Sequence, residues 1–192
     1  MRAVLAIVLM LVATGAGIAA ASALVPAGSS GEAEPDHLTP GPAELLLGPR
    51  AADPTGPIEW GVRTYVSRTG LLCVERGRLS GAVFGDPDRE GRVQARPAGP
   101  TGICGAASSP VVAGIERVAE HAGLPARTFV LGVSLLHPRT VTVTPVGETP
   151  VELPIGTRGS FIGVFEGLRE AEDLPLTVAL ANGDVTRIDW RG

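Results

Sequence analysis

The chain has 192 residues and a formal net charge of −4, and all sixteen of its basic residues are arginine. That length suits one domain with additions, and the acidic balance with no basic stripe argues against nucleic-acid binding. Few aromatics and abundant Val, Gly and Pro favour β-structure with many turns over a helical bundle.

Met1 and Arg2 precede an apolar run over 3–25. As a helix it is long enough to cross a bilayer. The strongly apolar part, VLAIVLMLV, is short enough for the core of a cleaved signal peptide, with small residues for cleavage near Ala23 and Ala27. Both readings stay open: a single-pass membrane protein, or a secreted one. Arg2 lies before the run and no further basic residue follows until Arg50, so the positive-inside rule puts the remainder outside the cytoplasm. The membrane, through this segment, is the one partner the sequence names.

Residues 26–57 carry seven prolines and read as an extended linker. Within it the leucines 45–47 suggest a short turn docked on the domain that follows. That domain is expected over 58–192.

Trp60, Val62, Thr64 and Val66 alternate with Gly61, Arg63, Tyr65 and Ser67, which predicts a strand with one buried face. Arg68, Thr69 and Gly70 form the turn, and 71–76 alternate again as a second strand. Cys73 lies on that strand, and Cys104 is the other cysteine. In an exported protein such a pair is expected as a disulfide; two cysteines with no neighbouring His fall short of a zinc set.

Further short strands are expected at 80–84 and 92–96. Between them Asp86, Asp88, Glu90 and Gly91 imitate the start of a calcium loop. The position that should supply its bidentate Glu is Pro97, so a turn is the better reading. Residues 109–123 are ambiguous. Val111, Val112, Ile115, Val118 and Ala119 recur at helical spacing behind Ser109 and Pro110, favouring a short helix near 110–122. The rival is a strand that hairpins into the next.

From Arg127 onward the pattern is β, with strands expected at 128–135, 140–146, 149–153, 160–166 and 176–181. Asn182-Gly183 then turns the chain back over 185–190. Glu170, Glu172 and Asp173 read as a solvated acidic connection. At least one of Trp60 and Trp190 should pack in the core. About eight to ten short antiparallel strands with turns every eight to twelve residues indicate an all-β, Ig-like sandwich.

No nucleophile elbow, P-loop, dinucleotide fingerprint or H-E-x-x-H helix is present. Catalytic, cofactor and metal residues are therefore expected to be none. The sequence supports a non-catalytic binding or structural domain at the cell envelope, acting on a protein or envelope ligand. The alternatives are a hydrolase whose loops bring His121 or His137 beside a Ser and a carboxylate, and a sensory domain acting on a membrane partner.

The stretches WGVRTYVSRTGLLCVERGRL from Trp60, RTFVLGVS from Arg127, TVTVTPVG from Thr140 and GSFIGVF from Gly159, with the Cys104 loop, resemble a group of uncharacterised exported proteins of actinobacteria. The resemblance implies a β-domain displayed outside the membrane and carries no activity with it. A strand at 110–123 would suit it better than a helix.

Overall fold

The computed structural model describes residues 46–81, 83–88, 90–96, 102–121 and 123–190. The apolar segment 1–25 and most of the 26–57 segment lie outside the described residues. Thirteen strands are described: β1 Leu46–Ala52, β2 Glu59–Val66, β3 Leu71–Ser80, β4 Val83–Pro87, β5 Val93–Ala95, β6 Ile103–Ala106, β7 Val112–Val118, β8 Arg127–Val133, β9 Pro138–Val143, β10 Val151–Glu152, β11 Ser160–Glu166, β12 Leu176–Leu180 and β13 Val185–Ile188. They form three antiparallel sheets. One is ordered β1-β2-β3-β4-β5 with β6 also paired to β3, one β10-β9-β12-β13, and one β11-β8-β7.

The all-β sandwich expected from the sequence is the fold, and the β11-β8-β7 sheet is its middle layer. All seven residues of β8 are buried. Because successive side chains of a strand point to opposite faces, β8 feeds two cores. Phe129, Leu131 and Val133 join Trp60, Val62, Leu72 and Val74 of β2 and β3. Val130, with Phe161 and Phe165 of β11, joins Val141, Val143, Leu176, Val178 and Leu180 of β9 and β12. Full burial of such a Phe or Leu side chain contributes roughly 1.5–3 kcal/mol. At Gly132 the layers leave no space: a Cβ there would lie 2.3 Å from Phe161 Cζ and 2.7 Å from the Val112 carbonyl oxygen.

The helix expected near 110–122 is instead β7, paired with β8 from Val112↔Val133 to Val118↔Arg127. Val112 and Val118 face the first core, while Val111, Ala113 and Ile115 face the second. A strand covered on both sides carries apolar residues on both of its faces, and here that run happened to contain helical spacings. The segment expected as linker supplies β1, paired with β2 from Leu46↔Thr64 to Ala52↔Glu59 across a register shift between Leu47 and Arg50. Gly48 and Pro49 fall in that shift, where a proline is tolerated.

The expected β2–β3 hairpin is present, with a register running from Val66↔Leu72 to Gly61↔Gly77. Its expected single buried face is corrected, since the six residues from Trp60 to Tyr65 are all buried. The second face holds a buried ion pair: Arg63 Nε donates to Glu75 Oε2 at 2.7 Å, and the Tyr65 hydroxyl donates to Glu75 Oε1 at 3.0 Å. Phe84 covers Arg63, with its ring centroid 4.6 Å from the guanidinium carbon.

Asn182-Gly183 makes the expected turn between β12 and β13. Gly183 sits at φ 95°, its N–H donates to the Leu180 carbonyl, and the Leu180 N–H donates to the Asp184 carbonyl. This is a three-residue loop closed by a glycine in the left-handed region.

Candidate functional site

Cys73 and Cys104 are bonded to each other, and they are direct partners in the β3–β6 register. The bond ties β6 to the central hairpin across 31 residues of sequence.

A cleft of about 440 Å³ opens on the other part of the same sheet, with Trp60, Arg76 and Phe129 at its floor. Pro87, Asp88 and Gln94 of the β4–β5 hairpin form one wall. Val118 at the end of β7 and His121, Leu124 and Pro125 after it form the other. The floor follows from strand parity. Leu72, Val74 and Arg76 alternate along β3, and Arg127, Phe129, Leu131 and Val133 alternate along β8, so each strand ends its core-facing row on an arginine. Trp60 and Phe129 pack edge to face with centroids 4.9 Å apart. The Arg76 guanidinium lies 4.8 Å from the Phe129 centroid and 5.6 Å from that of Trp60.

Both arginines are buried and both are neutralised. Arg76 donates to Asp86 and to Glu116, each at 2.7 Å, and Arg96 adds a 2.9 Å contact to Asp86. Arg127 grips Asp53 through Nη2 at 2.7 Å and Nε at 3.1 Å, and the Trp60 indole N–H donates to the same carboxylate at 2.9 Å. Burial pushes the Asp53 carboxyl up, but the bonds from Arg127, Trp60 and the Thr55 N–H outweigh it and hold Asp53 below the usual carboxylate range. On the wall, desolvation raises Asp88, while the Arg92 N–H, the Gln94 amide and the Arg92 side chain bring it down to about 2.

The acidic residues that imitate a calcium loop are thus held by arginines. Asp86 faces Arg76 and Arg96, Asp88 faces Arg92, and Glu90 faces Arg92. Glu170 is paired with Arg117. Among the described residues no three His, Cys, Asp or Glu side chains are grouped to hold a metal ion.

His121 reaches the cleft beside Asp86 and Asp88, but the described lining holds no Ser, Thr or Cys to act with it. His137 is elsewhere, exposed on the β8–β9 turn at φ 52°. Ser134, close to it in sequence, is buried, and its hydroxyl donates to the Pro110 carbonyl. Among the described residues neither histidine is hydrogen-bonded to the Ser and carboxylate that a loop-assembled hydrolase needs. Trp60 is in the core, and Trp190 is half-buried with its indole N–H on the Leu174 carbonyl at 2.6 Å.

Sequence reasoning passed over Arg76, Arg127 and Asp53. For the arginines a signal was present: a charged residue in phase with the buried face of its strand needs a partner inside. For Asp53, in a turn 74 residues before Arg127, nothing local marked it. The cleft can hold a compact, mostly apolar group, with the Asp86 and Asp88 carboxylates and His121 at its mouth to orient a polar end.

No protein-family model matches the chain, and neither a curated protein nor a solved structure matches it.

Proposed function

We propose that this chain is a non-catalytic binding domain displayed outside the cytoplasm at the cell envelope, carried there by its apolar N-terminal segment. The Trp60–Arg76–Phe129 cleft is its ligand-binding surface. The observation that carries this reading is the Cys73–Cys104 bond joining β3 and β6, because such a bond persists in oxidising compartments. The charge asymmetry about the apolar run and the resemblance to exported actinobacterial proteins support the same placement. Retained, the segment tethers the domain; cleaved near Ala23 or Ala27, it releases it.

A reporter fused after Gly192 that is active only outside the cytoplasm tests the placement. Activity is expected from the full-length fusion and should vanish when the apolar run 3–25 is removed. An active cytoplasmic reporter on the full-length chain would sink the reading.

A further inference from the structure

The domain has two chemically different ends. Hydrogen bonds and strand pairs tie one set of turns together. Leu46 opens β1 opposite Thr64, the β2–β3 turn closes at Ser67–Leu71, and Leu71 pairs with Ala106. Ser134 bonds Pro110 and Gly159, and the Ala181 N–H donates to the His137 carbonyl. Among the described residues this end carries Arg68, Arg139 and Arg158, all exposed, against one exposed carboxylate, Asp184. The same end presents Leu135 and Leu136 on the β8–β9 turn, 51% and 46% exposed, with Leu47 near the start of β1.

The other end gathers the loop after β11. The Gly167 N–H bonds Ala126, the Val146 N–H bonds Asp173, Arg169 pairs with Glu148 and Arg117 with Glu170. Glu166, Glu172 and Asp173 add to its acidity. Its exposed Leu168 is therefore set among carboxylates, whereas Leu135 and Leu136 share their end with arginines.

The chain also enters the domain at the basic end. Leu46 lies 21 residues beyond Val25, the last residue of the apolar run, a reach of at most about 75 Å. We infer that the Leu135–Leu136 turn, with Arg68, Arg139 and Arg158, is a membrane-docking face that seats the tethered domain on a bilayer bearing anionic headgroups. Adjacent leucines suit the headgroup–acyl boundary, and arginines suit its negative potential. Docked this way, the domain turns its acidic end away from the lipid. This inference rests on the tethered form of the proposed function.

The test uses the full-length oxidised protein reconstituted in phosphatidylcholine vesicles with or without phosphatidylglycerol. Single cysteines, Leu136→Cys or Leu168→Cys, carry an environment-sensitive fluorophore; the native pair stays bonded and unlabelled. The label at position 136 should shift to the blue and be quenched by spin-labelled lipid when phosphatidylglycerol is present, and the label at 168 should not respond. Arg139→Ala and Arg158→Ala should each lower the docked fraction relative to the free one by about fivefold. An equal response at both positions, or none at 136 in anionic vesicles, would overturn the face. So would the same blue shift in neutral vesicles on adding soluble polyphosphate, since charge alone would then suffice. Reconstitution supplies the tether whatever the cellular location, so this result and that of the reporter fusion stand apart.

Discussion

Asp53 and Arg127 are 74 residues apart in sequence and 2.7 Å apart at their closest charged atoms, and both side chains are buried. The pair joins the β1–β2 connection to the first residue of β8, and through the Trp60 indole it fixes one edge of the cleft floor. Asp53→Ala leaves a buried guanidinium without its counter-charge, a change that costs about 3–5 kcal/mol. Denaturant unfolding should show that loss, with Arg50→Ala, an exposed member of the Arg50–Glu59 pair, losing no more than about 1 kcal/mol.

The same carboxylate makes stability depend on acid. A group held below its unfolded value of about 3.9 contributes fully above that pH and loses its contribution as pH falls through the folded value. Asp53 is lowered and Asp88 sits at about 2. Stability should therefore fall between about pH 4 and pH 2. The gap between wild type and Asp53→Asn should shrink as the pH falls below about 4. A gap that stays constant in acid titration followed by circular dichroism would contradict the account.

Cys73→Ala with Cys104→Ala removes the tie between β3 and β6. For the 31-residue separation, chain entropy gives a loss of about 3–4 kcal/mol. Wild type treated with reductant should unfold at the same denaturant concentration as the double variant.

Gly132→Ala puts a methyl group into the Phe161 ring and the Val112 carbonyl. Overpacking of this kind costs about 1–3 kcal/mol. Because the clash is between β8 and its neighbours β7 and β11, amide exchange should quicken throughout the middle sheet.

Gly183→Ala forces an alanine to φ 95°, at a cost of about 1–2 kcal/mol. Asn182→Ala, at a position without positive φ, loses its side-chain bonds to Asp184 and should cost less. Thermal melts of the two variants rank them.

The strands that could be read in the sequence are those with a local signature. β11 lies at the expected 160–166, and the β2–β3 and β12–β13 hairpins were marked by alternation and by glycine turns. What hid the rest was burial on both faces. β7 has apolar residues for two cores, so its alternation dissolves into a pattern that also fits a helix. β1 was masked by the Gly48-Pro49 irregularity that the register absorbs. The cleft was harder still. Trp60, Arg76, Phe129 and Arg127 come from three strands, and their meeting depends on sheet order, which periodicity does not encode.

The most direct measurement is the intact mass of the exported protein after alkylation without reduction. The account predicts no adducts, and two after reduction, at Cys73 and Cys104. The same spectrum reads whether residues 1–25 are kept. Two adducts before reduction would mean free thiols in the cell, and would contradict both the stapled domain and its place outside the cytoplasm.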